Sequence, residues 1–224
     1  MIEPSNVPPR LTVLVAEDHP VMREGLVTLL EQQPDFVVIG GAASARETRT
    51  AIERQPPDLL LMDLMMQEDD GLALIKDLVT LVPALRIVVF SLQPEDIYAE
   101  RCLRAGAHGY VMKREPVDTL FRAVRDVAAG GIAVSPRIAA TVIGGLTGHA
   151  RQPAGAETRL TDRELQVFRL VGLGLATRDI AEKLNVSFKT IETHRENIKN
   201  KLGLQTHTEL VARAATWAQE SATG

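Results

Sequence analysis

In Asp58-Leu59-Leu60-Leu61-Met62-Asp63-Leu64-Met65-Met66-Gln67-Glu68-Asp69-Asp70-Gly71, a short apolar run ends abruptly in a carboxylate, and a polar loop with a glycine follows. Apolar runs of about four to eight residues bounded by turn signals read as buried strands of the kind found inside parallel sheets. Asp63 then stands at the C-terminal end of a central strand, the edge at which open α/β sheets bind ligands. Alone, it reads equally as a strand end or as the cap of the next helix. Its meaning depends on what the other strands deliver beside it.

Working outward, Leu11-Thr12-Val13-Leu14-Val15-Ala16 is another buried-strand candidate, stopped by Glu17-Asp18-His19-Pro20. Pro20 suits a first helical turn, and Met22, Leu26, Leu29 and Leu30 follow at the spacing of an inward helix face. Phe36 to Gly40 reads as a strand, and Ser44 to Gln55 as a helix. Beyond the opening stretch, Leu74, Ile75, Leu78 and Leu81 mark a helix and Arg86 to Ser91 a strand. Glu95 to Ala105 is a helix that Gly106 stops, and Gly109 to Met112 a short strand ending at Lys113. Pro116 opens a helix carrying Leu120, Ala123, Val124 and Val127, closed by Gly130-Gly131. Five strand–helix units in strict alternation imply an α/β domain over residues 10–130. Its doubly wound five-stranded parallel sheet would be covered by helices on both faces.

Residues 131–158 break this rhythm. A short helix can start at Ala133-Val134-Ser135-Pro136 and run through Ile143. Gly144-Gly145, Thr147-Gly148 and Gln152-Pro153-Ala154-Gly155 then read as a flexible linker. Residues 159–224 are wholly helical in pattern, a small all-α domain.

Composition narrows the function classes. With 45% hydrophobic and 24% charged residues, the 224-residue chain is ordinary for a soluble globular protein. A single cysteine, Cys102, excludes an intrachain disulfide, argues against a structural zinc site and fits a reducing cytoplasm. No apolar run approaches the ~20 residues that span a bilayer. Met1 to Arg10 is polar and proline-rich, so no signal peptide is expected. The net charge of −4 is uneven: residues 159–224 hold 10 Lys and Arg against 8 Asp and Glu, and the rest of the chain 15 against 21. That asymmetry hints at an acidic module joined to one able to approach nucleic acid.

The strand ends bring chemistry together. The first delivers Glu17 and Asp18, the third Asp63, the fourth Ser91 and the fifth Lys113, all to one sheet edge. Clustered carboxylates repel unless a cation joins them, and hard oxygen ligands suit Mg2+. A carboxylate beside such a cation can attack phosphorus to give an acyl phosphate. A lysine and a hydroxyl would then hold the phosphoryl oxygens.

These residues, with Gly109-Tyr110-Val111-Met112-Lys113, resemble the flavodoxin-like receiver domain of two-component response regulators. The resemblance implies that Asp63 is the phosphoacceptor, and that Glu17, Asp18, Asp63 and the Met65 carbonyl hold Mg2+. It implies further that Ser91 and Lys113 engage the phosphoryl group, and that Tyr110 is the aromatic switch residue. Gly71, eight after Asp63, matches a family glycine. Three positions depart from the pattern. Gln67 replaces a usual proline. Leu92 replaces a small residue, where it narrows access to the phosphoryl group. Arg114 stands where many receivers have proline and a cis bond, a geometry that costs other residues ~2.5–4 kcal/mol.

In the tail, Leu160-Thr161-Asp162-Arg163-Glu164 starts a helix, with Thr161 and Glu164 as a capping box. Leu165, Phe168, Leu170 and Val171 form its apolar face, and Gly172-Leu173-Gly174 ends it. Ala176 to Leu184 is a second helix, with Ile180, Ala181 and Leu184 inward, and Asn185-Val186 a tight turn. Ser187 and Thr190 start a third helix, which runs to Leu202 and stops at Gly203. Helix, short turn and helix is the DNA-binding arrangement. On the third helix Ile191, Ile198 and Leu202 face one way, with His194 packed near them. Lys189, Thr193, Glu196 and Asn200 face the other, flanked by Glu192 and Asn197. Leu160 to Leu204 resembles the LuxR-type helix-turn-helix through Asp179-Ile180-Ala181-Glu182-Lys183-Leu184 and the run from Ser187 to Leu202. The pairing with a receiver is that of NarL/FixJ-type response regulators.

By that resemblance the third helix enters the major groove of double-stranded DNA. Lys189, Thr193, Glu196 and Asn200 then meet base edges, and Thr190, Arg195 and Lys199 meet phosphates. Glu192 either accepts from cytosine N4 or forms ion pairs. A last helix, Thr208 to about Gln219, carries Leu210, Val211, Ala214 and Trp217, for dimerisation or for packing within the domain. The expected protein is a cytoplasmic transcription regulator, not an enzyme, with no membrane association. A sensor histidine kinase would phosphorylate Asp63, the added charge would draw Ser91 and Tyr110 inward, and a homodimer would bind DNA. Two rivals remain. An aspartyl phosphohydrolase would usually carry Asp-x-Asp, and Met65 fills the second acid position. A DNA-binding protein whose receiver works without phosphorylation would bind equally well as Asp63→Asn.

Overall fold

The computed structural model describes residues 10–66, 70–147 and 155–223. The first part alternates strand and helix: β1 (Leu11–Ala16), α1 (Pro20–Glu31), β2 (Phe36–Ala42), α2 (Ala45–Arg54), β3 (Leu59–Met62), α3 (Gly71–Leu81), β4 (Arg86–Ser91), α4 (Glu95–Ala105), β5 (Gly109–Met112) and α5 (Val117–Ala128). The five strands form one parallel sheet in the order β2-β1-β3-β4-β5. Strand placement reverses direction after β2, so right-handed crossovers put α1 on one face and α2, α3 and α4 on the other, while α5, after the last strand, returns to the face of α1. Val13, Val15, Leu59, Leu61 and Val88 point to the face where Leu26 and Leu30 of α1 meet Leu120, Val124 and Val127 of α5. The two-residue period of a strand sends their neighbours Leu14, Leu60 and Val89, also buried, to the opposite face. Each strand is apolar throughout because both of its faces are covered.

Local chemistry sets the ends of these elements. Ser44 caps α2 by accepting from Glu47 N, and Asp70 caps α3 by accepting from Leu72 N and Ala73 N at 3.1 Å each. Gly106 and Gly130 take positive φ after α4 and α5. Asp58 accepts from Thr12 N at 2.8 Å and Thr12 Oγ1 at 2.6 Å, stapling the entry to β3 against β1.

Several expected inward residues differ. Met22 and Leu29 of α1 and Leu81 of α3 are exposed, because each helix touches the sheet along a narrower stripe than its apolar pattern covers. Gly144 and Gly145, expected in a linker, lie inside α6 (Pro136–Leu146). The chain's two compact units divide within α6, after Ala140, and the short segment Leu92–Ile97 is grouped with the second. The rest of the expected linker, residues 148–154, lies outside the described residues, as does Gln67.

The second unit is helical: a 3-10 turn (Ala156–Arg159), α7 (Asp162–Gly172), α8 (Thr177–Lys183), α9 (Phe188–Leu202) and α10 (His207–Thr223). The capping box at Thr161 is complete, with Glu164 N donating to Thr161 Oγ1 and Thr161 N donating to Glu164 Oε2. Asn185 turns the chain between α8 and α9 at φ 51°, and Gly203 ends α9 in the left-handed region. The core joins α7 to α10, where the Phe168 and Trp217 rings lie 5.5 Å apart. Leu210, Ala214 and Trp217 are buried in this packing, while Val211 is exposed. Among the described residues no helix is long and apolar enough to cross a membrane.

Candidate functional site

The sheet register brings the chemical residues to one level. Ala16 pairs with Met62, Met62 with Val89, Val89 with Tyr110, and Ser91 with Met112. The residues that follow continue the ladder: Glu17 N donates to Ala42 O, Asp63 N to Ala16 O and Lys113 N to Ser91 O, at 2.8–2.9 Å. Glu17, Asp18, Asp63, Ser91 and Lys113 therefore gather at the C-terminal edge, around the β1–β3 boundary where strand order reverses. That is the topological switch point at which such sheets bind ligands.

The pocket is buried and charged. Asp63 is 7% exposed, and Glu17 and Ser91 are each 1% exposed. Lys113 Nζ donates to Glu17 Oε2 at 2.6 Å and to Asp63 Oδ2 at 2.8 Å. Burial pushes the Asp63 carboxyl above the ordinary carboxylate range, and the Lys113 charge opposes that rise. Lys113 in turn is held above its ordinary value: burial works against its charge, but Asp63 and Glu17 outweigh it. Met65 N donates to Asp63 Oδ1 at 3.3 Å, so the loop's backbone already meets the carboxylate.

His19, read in the sequence only as part of a strand stop, belongs to this cluster. Its Nδ1 lies 3.1 Å from Glu17 Oε1 and 2.9 Å from Asp18 Oδ1. The hydrogen bond with Glu17, followed by the Asp18 charge, holds the imidazole pKa above its ordinary value. One possible ligand atom from each of Glu17, Asp18 and His19 lies within 4.8 Å of the others, and the two carboxylates are the hard oxygen ligands among them. Arg23 was also missed; it donates to the Glu17 carbonyl at 2.7 Å. Its signal was its place one turn into α1, just past the acid pair.

Tyr110 is 3% exposed and shares a hydrogen bond with the Ser91 side chain. Burial pushes its phenol well above the ordinary range. Leu92 is exposed, and the Lys113–Arg114 bond is trans.

In the second unit, α9 presents Lys189, Glu192, Thr193, Glu196 and Asn200 to solvent, with Thr190 and Lys199 half-buried. Arg195 corrects the sequence reading. Expected at phosphates, it is 6% exposed and inside the domain, bonded to Thr177 Oγ1 and to the His207 ring. On the helical wheel it lies nearer Ile191 and Leu202 than Lys189, so packing took precedence over charge. Phe188, exposed in the first turn of α9, had no assigned role in the sequence reading.

Two family models match the chain: the response regulator receiver domain over residues 13–125, and the bacterial regulatory proteins of the luxR family over residues 158–214. The oxygen regulatory protein NreC of Staphylococcus carnosus (strain TM300) is 32% identical over 209 residues, covering 91% of this chain and 96% of NreC. RcsB of Salmonella enterica serovar Typhimurium, solved on promoter rprA with the phosphomimetic BeF3-, is 27% identical with a TM-score of 0.73, covering 92% of this chain and 98% of RcsB. A structure of two RcsB dimers bound to two parallel DNAs matches at 26% identity and a TM-score of 0.69, covering 91% of this chain and 97% of that one.

Proposed function

Because the chain belongs to the two-component response regulators that join a receiver to a LuxR-type helix-turn-helix, a family of DNA-binding transcription regulators rather than enzymes, we propose that Asp63 is its phosphoacceptor and α9 its recognition helix. The observation that carries this reading is Lys113 Nζ bridging Glu17 and Asp63 at the switch point of the sheet.

An Asp63 carboxylate oxygen attacks the phosphorus carried by a histidine of the sensor kinase. The P–N bond breaks, and its electron pair stays on the histidine nitrogen. Glu17, Asp18, Asp63 and the Met65 carbonyl would hold Mg2+, which would supply neutralisation of charge on the phosphoryl oxygens. Lys113 and the Ser91 hydroxyl donate to those oxygens. Because Ser91 is also the partner of Tyr110, its engagement changes the hydrogen bonding of the aromatic ring. Phosphorylation thus shifts the balance between receiver states.

A homodimer then places two copies of α9 in the major groove of double-stranded DNA, one per half-site. Lys189, Thr193, Glu196 and Asn200 face base edges, with Glu192 at their flank; Thr190 and Lys199 lie nearer the phosphates. Arg195 supports this face from within, tying α9 to Thr177 of α8 and His207 of α10. The buried Cys102 suits a reducing cytoplasm as the place of action.

The departures from the receiver pattern at Gln67 and Leu92 favour a second reading, in which the receiver supports DNA binding without phosphorylation. Affinity for a duplex selected from a random-sequence library separates the two. With beryllofluoride and Mg2+, wild type is expected to bind at least about tenfold more tightly, and Asp63→Asn to show no change. Equal affinity in all four conditions would establish the phosphorylation-independent reading instead.

A further inference from the structure

Glu192 and Glu196 stand one turn apart on the exposed side of α9. Like charges at i and i+4 destabilise a helix. Neither lies in the first turn, where the helix dipole would favour it. The buried side of α9 is made by Ile191, Arg195 and Ile198, and both carboxylates lie outside it, although the Glu192 charge is felt by Arg195. Lys199 Nζ, 2.8 Å from Glu196 Oε2, offsets part of the repulsion and restricts that carboxylate's rotamers. The Glu196 side chain still keeps 61% of its surface in solvent.

Two carboxylates on a face that approaches DNA oppose binding to a polyanion. They are compatible with a tight complex only where the bases offer hydrogen-bond donors. In the major groove guanine presents two acceptors, and thymine an acceptor and a methyl group. Adenine pairs its N6 donor with an N7 acceptor that repels a second carboxylate oxygen. Cytosine presents its N4 donor alone. We propose that Glu192 and Glu196 are specificity-determining residues, each accepting a hydrogen bond from a cytosine N4 amino group, so that each operator half-site carries cytosine at two nearby positions. Four residues of helix span about 6 Å, and successive bases rise about 3.4 Å, which places the two cytosines about two base pairs apart. This inference rests on the reading of α9 as the recognition helix.

The test is selection of bound duplexes from a random-sequence library by the full-length chain with beryllofluoride and Mg2+, as wild type, E192Q and E196Q. A glutamine amide both donates and accepts, and pairs with adenine N6 and N7. Wild type is expected to enrich cytosine at two positions. Each variant is expected to exchange cytosine for adenine at one of them, with a change of roughly tenfold or more in relative affinity there and the rest of the motif unaltered. A motif identical in all three proteins overturns the proposal. So do variants that bind every sequence more tightly by one common factor, which would make the glutamates a general electrostatic brake. Failure of the underlying reading gives a different result: Thr193→Ala and Asn200→Ala would then alter no position of the motif, and the proposal falls with it.

Discussion

Lys113→Ala is expected to lower the unfolding free energy by about 3–5 kcal/mol in the presence of a chelator, the usual cost of removing one partner from a buried ionic cluster. The wild-type lysine side chain is 5% exposed and bonded to two carboxylates, Glu17 and Asp63, that are themselves 1% and 8% exposed. Without it, the cluster of Glu17, Asp18 and Asp63 loses the ammonium bonded to two of its members. Burial then acts on the Asp63 carboxyl unopposed by the ammonium, so its pKa rises further and folding becomes coupled to its protonation. Mg2+ offers the missing positive charge and binds only the folded pocket, so it stabilises by mass action. It should raise the denaturation midpoint of Lys113→Ala more than that of wild type, where Nζ already neutralises part of the site. Urea titrations of both proteins in chelator and in Mg2+ read this directly. An unchanged midpoint in chelator, or the same Mg2+ response in both, would mean that Lys113 is not the counter-ion of the pocket.

Gly71→Ala is expected to cost about 3 kcal/mol, at the upper end of ordinary overpacking. A Cβ on Gly71 would lie 2.2 Å from the Leu64 carbonyl oxygen and 3.0 Å from its carbonyl carbon. The obstacle is backbone, so no rotamer change relieves it. Either α3 withdraws or the loop after Asp63 moves. That loop carries Met65, whose N–H donates to Asp63 and whose carbonyl is assigned to Mg2+, so phosphorylation should slow as stability falls. Gly25→Ala is the control: nothing lies within 4 Å of its added Cβ, and it sits inside α1. An alanine there should be neutral or slightly stabilising. Equal destabilisation by both substitutions, measured by thermal unfolding, would remove steric contact with Leu64 as the reason for Gly71.

The strands were legible because each is a short apolar run bounded by turn residues, and the pocket because its members stand at the ends of four of the five strands. Leu59–Met62 and Gly109–Met112 needed only their lengths and flanks. Side-chain partners were less legible. Arg195 was placed by its charge, whereas its position on the helix fixed its burial. Met22 and Leu29 were placed by their apolarity, whereas the sheet offers α1 only the width that Leu26 and Leu30 fill. Gly144 and Gly145 looked like linker because each costs a helix about 1 kcal/mol relative to alanine, yet both are helical in α6. Tyr110 was legible as an aromatic within the last strand, but its burial beside Ser91 depends on how β4 and β5 pair, which sequence spacing does not encode. His19 went unread because its meaning comes from two carboxylates folding back toward it.

The most direct test of phosphoryl transfer to Asp63 is the intact mass of the full chain after incubation with Mg2+ and a small phosphodonor, beside Asp63→Asn treated identically. The account predicts a gain of one phosphoryl group in wild type only, with dimer formation accompanying it. No adduct in wild type, or an adduct of equal yield in Asp63→Asn, would contradict it.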